Sequence, residues 1–265
     1  MPHDERYFIE ALSRGLRILE AFSEDRAALT LVEVAKAVDL DKSTVFRFVY
    51  TLEELGYLER DPQSKRYRPG IKVLRLGFTA VNNLDISERA EPHLQWLADR
   101  SGEAINMAVR EGSEIVYIER ISPVQIVNIN LHVGSRLPVH CTSMGKIQLI
   151  DFSADAIGGL LGEGPYEAYT AKTLTTLDAL LAEVEEARAR GYAVGDEELA
   201  VGLRSIAAPI RGADGQIAAA VNVSVSSARI SRAELEERLG PLVMEAGQRI
   251  SGALGAARRE SADGE

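Results

Sequence analysis

The sequence predicts an α+β chain of two domains: an N-terminal winged helix-turn-helix, then a linker helix and a larger C-terminal α/β sandwich. Three observations carry this reading. Two short amphipathic helices meet at the polar turn Asp39-Leu40-Asp41. A hairpin pattern with a concentrated basic run follows directly. Beyond Gly102, strand-like and helix-like stretches alternate. At 265 residues the chain also exceeds what one small core needs, which favours two domains.

Ile9, Leu12, Leu16, Leu19 and Phe22 recur at helical spacing, so an amphipathic helix is expected over 9–22. Thr30, with Glu33 three residues on, forms a capping-box pattern and opens a second helix that turns Val34, Ala35 and Val38 inward. The next helix opens at Lys42-Ser43-Thr44, buries Val45, Phe48, Val49 and Leu52, and stops at Gly56. Past Gly56 the period shortens: Tyr57–Arg60 and Lys65–Arg68 read as strands about the turn Asp61-Pro62-Gln63-Ser64. A hairpin directly after a recognition helix is a wing.

The net charge of −10 weighs against phosphate contact, but charge is unevenly placed. Between Arg60 and Arg75 the basic residues are Arg60, Lys65, Arg66, Arg68, Lys72 and Arg75, and the only acid is Asp61. Such a run is commonly a solvated loop; here it falls on the wing, where double-stranded DNA is the expected partner. A recognition helix enters the major groove with its N-terminal residues toward the bases, which makes Lys42, Ser43, Thr44 and Arg47 the candidates for contact. Arg47 is the candidate guanine reader, because a guanidinium can be bidentate to that base. Lys65, Arg66 and Arg68 are candidate phosphate grips, which position the protein without reading sequence.

Ile71, Leu74, Phe78 and Val81 alternate steps of three and four, a short seam that can pair with its copy or pack on its own chain. Pro92 is expected to break or bend any helix that reaches it, so the helix carrying Leu94, Trp96 and Leu97 reads as a separate or bent segment ending near Ser101-Gly102. Farther on, Ala104–Arg110, Glu114–Arg120, Gln125–Leu131, Tyr192–Val194 and Gln216–Val225 read as strands. Thr142–Ile150, Leu177–Arg190 and Ala233–Leu254 read as helices. The expected boundaries are 1–70 for the winged helix, 71–102 for the linker helices and 103–265 for the second domain.

The runs ALSRGLRILEAF, LTLVEVAKAVDLDKSTVFRFVYTLEELGYLERD and KRYRPG resemble the DNA-binding domain of the IclR family of bacterial transcription regulators. VGSRLPVHCTSMGK and GYAVGDEELAVGLRSIAAPI resemble that family's effector-binding domain. The resemblance spans nearly the whole chain, in order. The opening YFIEALSRGLRILEAF is also similar to the protocatechuate and 4-hydroxybenzoate regulators within the family. The likeness sharpens the second domain to a GAF-like or profilin-like fold and implies a pocket between its sheet and the loop and helix after Pro138.

On that resemblance, the helix start Ser143-Met144-Gly145 offers backbone N–H groups to a carboxylate. Ile126, Asn128, Gly195, Asp196, Leu203, Ser205, Asn222 and Ser224 are expected to line the cavity. Asn128, Ser205, Asn222 and Ser224 interrupt apolar stretches, and strand alternation leaves each of them either in the pocket or facing outward. Several relatives carry cysteine or alanine at Ser205 and serine at Asn222, a departure that points to a more polar effector. A small organic acid, most simply an aromatic carboxylate, is the implied ligand.

Catalysis has no visible residues. His140 and Cys141 are adjacent, so on a strand they point to opposite faces, poor geometry for a nucleophile and its base. The four histidines, His3, His93, His132 and His140, show no metal-ligand spacing, and no glycine-rich phosphate loop is present. No enzyme activity, cofactor or metal is therefore expected. With one cysteine, no secretory-type N-terminus and no apolar span, the expected place is the cytoplasm, away from membranes. The functional expectation is a regulator of a catabolic operon, acting as a homodimer or tetramer on a palindromic operator, its DNA affinity set by the effector. The alternative is a constitutive DNA-binding repressor whose C-terminal domain only oligomerises.

Overall fold

The computed structural model describes residues 7–23, 26–73, 76, 86–121 and 131–256. Internal contacts divide the chain into two units, residues 1–83 and 84–265.

The first unit holds α1 (Glu10–Glu20), α2 (Leu31–Val38), α3 (Lys42–Glu54) and the hairpin β1 (Leu58–Arg60) with β2 (Tyr67–Pro69). Local chemistry sets each boundary. Glu33 N–H donates to Thr30 Oγ1 at 3.3 Å while Thr30 N–H donates to the Glu33 carboxylate at 2.7 Å, completing the capping box. Asp39, at φ 52°, takes the left-handed conformation that ends α2. Asp41 Oδ1 then accepts the N–H groups of Ser43 and Thr44, which opens α3 two residues later. The core is Ile18, Val34, Val38, Val45, Val49, Leu58 and Tyr67. One expectation needs correction: on α1 only the C-terminal turn is inward, through Ile18, Leu19, Ala21 and Phe22. Ile9, Leu12 and Leu16 are exposed, because this small core is already filled by α2, α3 and the hairpin. Of the seam, Ile71 is exposed, while Leu74, Phe78 and Val81 lie outside the described residues.

The second unit opens with α4 (Ile86–Ser101) and a hairpin of β3 (Ala104–Glu111) and β4 (Glu114–Ile121). Then come β5 (Arg136–Pro138), α5 (Ser143–Ile147), α6 (Ala154–Leu161) and α7 (Leu177–Arg190). After β6 (Ala193–Asp196), β7 (Leu203–Arg211) and β8 (Ile217–Ser226) the described chain closes with α8 (Arg232–Glu234), a π-helical turn (Leu235–Leu239) and α9 (Gly240–Ala253). The six strands form one antiparallel sheet in the order β5-β4-β3-β8-β7-β6. Helices cover both faces. Alternation on β8 sends Val221, Val223 and Val225 to the side packed by Leu94, Leu97 of α4 and Val243, Ile250 of α9. Ala220 turns to the other side, where Met144 and Ile147 of α5 meet Leu180 and Val184 of α7.

Several expectations change here. α4 runs through Pro92 without a break and buries Ala90, Leu94 and Leu97, so it belongs to the core of the second unit instead of a linker. The strand β7 was not expected, since Pro209 and the polar Arg204 and Ser205 mask its alternation; β5 has only three residues. The helix expected over Thr142–Ile150 is confined to Ser143–Ile147. The expected strand Gln125–Leu131 lies, but for Leu131, outside the described residues. The long C-terminal helix contains the π turn just before Pro241, whose ring lacks an N–H and would crowd the carbonyl four residues back in a regular helix. α9 lies directly on β7 because residue 247 is glycine: a Cβ there would stand 2.7 Å from the Pro209 carbonyl oxygen.

Candidate functional site

In the first unit the exposed face of α3 carries Lys42, Phe46, Arg47 and Tyr50. Among the described residues, the side chains of Lys42, Arg47 and Lys65 make no hydrogen bond or ion pair, so their charges are available to a ligand. Ser43 and Thr44 stand at the helix opening as expected, but the Ser43 hydroxyl donates to Asp41 at 2.6 Å and serves the cap. That bond, with the N–H groups of Ser43 and Thr44, holds the Asp41 carboxyl well below the usual carboxylate range. The wing divides differently from the expectation. Lys65, at φ 57°, projects from the turn. Arg66 is a structural clamp: its guanidinium donates to the Ala28 carbonyl at 2.8 Å and to Glu33 at 3.1 Å, tying the wing to the capping box of α2. Arg68 is paired with Glu59 across the hairpin at 2.9 Å. Phe46 and Tyr50, half exposed with ring centroids 6.3 Å apart, were not anticipated. Their signal was present, since two aromatics at i and i+4, one residue on from the buried Val45 and Val49, fall on the flank of the helix beside its core stripe.

In the second unit a cavity of about 50 Å³ opens on the α5 side of the sheet, several times the ~10–15 Å³ that one water needs. Ser143, Gly195, Leu203, Ser205, Asn222 and Ser224 line it, as the resemblance implied. Ser143 and Ser205 share a hydroxyl hydrogen bond of 2.7 Å. A Cβ on residue 195 would stand 2.9 Å from Ser205 Oγ, so the glycine leaves room for that pair. Three expected residues are elsewhere. Met144 is buried in the apolar layer beneath α7. Gly145 sits against Val139, where a Cβ would stand 2.3 Å from the Val139 carbonyl oxygen, and its N–H donates to Thr142 Oγ1. The Asp196 carboxylate binds Arg204 and Lys172. The opening of this five-residue helix is therefore already partly capped by Thr142. Ile126 and Asn128 lie outside the described residues.

The wall also holds Asn106, Tyr117, Arg120, Thr142 and Glu198, none of them expected. Register explains Asn106 and Arg120: they pair across β3 and β4, and Asn106 pairs with Asn222 across β3 and β8, so all three share one line over the sheet. Asn106 Nδ2 donates to Asn222 Oδ1 at 2.8 Å, and its own Oδ1 is buried without a partner. Arg120 donates to the Leu131 carbonyl. Burial raises the Tyr117 phenol well above its ordinary range, keeping it neutral. Burial also pushes the Cys141 thiol up to about 12, assisted by the Glu198 carboxylate, so it is a protonated wall group and not a nucleophile. Glu198 receives Lys146 Nζ at 2.6 Å; the lysine is fully buried. Nothing in this set resembles a reacting centre, whereas a cation, amides, hydroxyls and one carboxylate around one cavity make a recognition site.

A winged helix with free cations on its recognition face, joined to a domain with a polar cavity, defines a ligand-responsive DNA-binding regulator. The chain belongs to the IclR family of bacterial transcription regulators. The family model for the bacterial transcriptional regulator IclR C-terminal domain matches residues 78–252, and that for the IclR helix-turn-helix domain matches residues 11–62. The chain is 38% identical over 240 residues to the Pca regulon regulatory protein of Pseudomonas putida, covering 90% of this chain and 82% of that one. It is 32% identical to the HTH-type transcriptional regulator XynR of Escherichia coli K12, covering 93% and 98%. Among solved structures, an IclR homolog from Microbacterium hydrocarbonoxydans complexed with 4-hydroxybenzoate superposes with a TM-score of 0.79 at 27% identity, covering 94% of this chain and all of that one. These relatives are regulators, not enzymes. No helix among the described residues is long and apolar enough to cross a membrane.

The turn that follows β6 has a measurable pH signature. The Lys172 ammonium, with Gly202 N–H and the Ser227 hydroxyl, lowers the Glu197 carboxyl from 4.5 to about 2. A carboxyl depressed on folding contributes stability that is complete above its unfolded value and is lost as pH falls from about 4.5 toward about 2. Acid titrations followed by near-ultraviolet circular dichroism are expected to show a shallower loss of stability across that window in Glu197→Gln than in the parent.

Proposed function

We propose that the chain regulates a catabolic operon by binding a palindromic double-stranded operator, with an affinity set by a small aromatic carboxylate. The observation that carries this is the cavity: Arg120 is the one cation among its described wall residues, so an acid is the ligand class whose charge it complements. Leu131, Leu199 and Leu203 supply apolar surface for a ring. Asn222, Ser224, Ser143 and Ser205 supply the surrounding hydrogen bonds. Arg120 replaces the helix opening as the carboxylate seat, because Thr142 already occupies part of that opening. The 4-hydroxybenzoate bound to the Microbacterium hydrocarbonoxydans homolog favours the same ligand class.

On DNA, Arg47 reads a base, Lys42 and Lys65 grip phosphates, and Phe46 or Tyr50 meets a thymine methyl. Arg66 and Arg68 act through the wing's shape. In a mobility-shift titration, Arg47→Ala is expected to cost about 1–3 kcal/mol and relax one operator position, whereas Lys65→Ala weakens all sequences alike and flattens the salt dependence. Unchanged affinity in the double variant contradicts the reading. Calorimetry on Arg120→Gln is expected to show an aromatic acid and its amide binding alike, where the parent prefers the acid.

Symmetric oligomerisation follows from a palindromic site, and the exposed Ile9, Leu12 and Leu16 stripe of α1 is the apolar surface offered for it. Leu12→Glu with Leu16→Glu is expected to lower the mass seen by light scattering; an unchanged mass rules the stripe out.

A further inference from the structure

A second cavity, of about 250 Å³, lies at the other end of α5 from the first. Ser143, which opens that helix, lines the first cavity, and Gln148, which closes it, lines the second; the two share no wall residue. Arg110 near the end of β3, Asp151 and Phe152, and Gln216 with Ile217 where β8 opens make up most of the remaining wall. The space exceeds the ~150 Å³ that admits a benzene molecule, so it has room for a small metabolite. The unpartnered Asn106 Oδ1 and Glu198 Oε2 belong to the first cavity and play no part here.

Two groups in this wall are fixed in place yet left incomplete. The Arg110 guanidinium stands 4.7 Å from the centre of the Phe152 ring and donates once, to the Gly112 carbonyl at 3.0 Å. It has no carboxylate partner among the described residues. Asp151, the other charged wall residue, is held by two nitrogens of Arg211, so the charge left over in the wall is positive. Gln148 is only 3% exposed. Its Nε2 donates to the Met144 carbonyl at 3.0 Å, and its Oε1 accepts no hydrogen bond among the described residues. A buried amide oxygen without a donor is costly, so a ligand that brings one is favoured.

We propose that this cavity is a second ligand site for a small aliphatic hydroxy acid, whose carboxylate pairs with Arg110 and whose hydroxyl donates to Gln148 Oε1. A neutral ligand would not answer the free guanidinium, and an acid without an O–H group would leave the amide oxygen unpaired. Phe152 is the one ring in the wall, and a face of it is already taken by Arg110, so the wall offers a ring-bearing ligand little to stack on. The site stands apart from the aromatic-acid reading, which concerns the first cavity.

The test is calorimetric titration of the full chain with L-malate, D-glycerate, succinate and inorganic phosphate, and of Arg110→Gln and Gln148→Met with L-malate and succinate. The parent is expected to bind malate on the order of 10-fold more tightly than succinate, which differs only by the missing hydroxyl. Arg110→Gln is expected to weaken malate by about 10-fold or more through loss of the charge-assisted bonds, while 4-hydroxybenzoate binds this variant as it binds the parent. Gln148→Met keeps the bulk and removes the acceptor, so malate is expected to fall to within about 3-fold of succinate. Should either variant not fold, the comparison of the four ligands on the parent still decides. Malate binding that survives Arg110→Gln unchanged overturns the site. Succinate or phosphate binding as tightly as malate overturns the hydroxy-acid class. Heat from neither malate nor glycerate at millimolar concentration overturns the proposal even where 4-hydroxybenzoate binds, whereas malate binding without any from 4-hydroxybenzoate supports it and sinks the aromatic-acid reading alone.

Discussion

A buried lysine needs a carboxylate held against it to replace the water it gives up, and in this protein that pairing shapes the sensing site. Lys146 projects from α5 and meets Glu198, which follows β6, so one ion pair fastens the short helix to the sheet edge. Removing one member of such a pair leaves an uncompensated charge and typically costs about 3–5 kcal/mol. Hydroxyls reinforce the same point: Thr173 donates to the Glu198 carbonyl at 2.6 Å and Thr170 to that of Glu197 at 2.7 Å. With the backbone pinned, Glu198 can hold an unpartnered oxygen at the cavity wall, an arrangement a looser turn would relieve by swinging the carboxylate into water.

The two units are built on contrasting plans, which accounts for the division of labour. The winged helix presents isolated cations and aromatics on a small framework whose own charges are spent internally, with Arg66 on Glu33 and Arg17 on the Val38 carbonyl. The sensing unit buries its polar groups and connects them to one another, Asn106 to Asn222 across two strands and Ser143 of α5 to Ser205 of β7. A surface of free charges suits a polyanion whose position is set by phosphates. A buried polar network suits a small ligand that must complete it.

Much of this was legible in the sequence, for identifiable reasons. The capping box at Thr30 and Glu33, the polar turn Asp39-Leu40-Asp41 that ends α2 and the turn at Asp61 are local motifs, and local motifs can be read without knowing what packs on them. The cavity residues on β6, β7 and β8 came from resemblance, and those still described line the cavity except Asp196. What escaped depends on distant partners. Arg66 looks like any wing cation until the Glu33 carboxylate is placed beside it. Arg120 and Glu198 look like ordinary surface charges until register brings Arg120 into line with Asn222 and burial pairs Glu198 with Lys146. Pro92 reads as a breaker because the rule concerns an isolated helix, whereas burial of Ala90, Leu94 and Leu97 holds α4 together through it.

The central claim is that the cavity and the recognition helix are thermodynamically linked, so that filling one changes the other's affinity. Fluorescence anisotropy of a labelled operator, titrated with the full chain at fixed salt with and without saturating 4-hydroxybenzoate, measures that linkage directly. A shift in Kd of roughly 5- to 150-fold, in either direction, is the result the account predicts. Identical curves at a ligand concentration shown by calorimetry to fill the cavity would contradict it, leaving a constitutive DNA-binding protein whose second domain binds an acid to no effect on DNA.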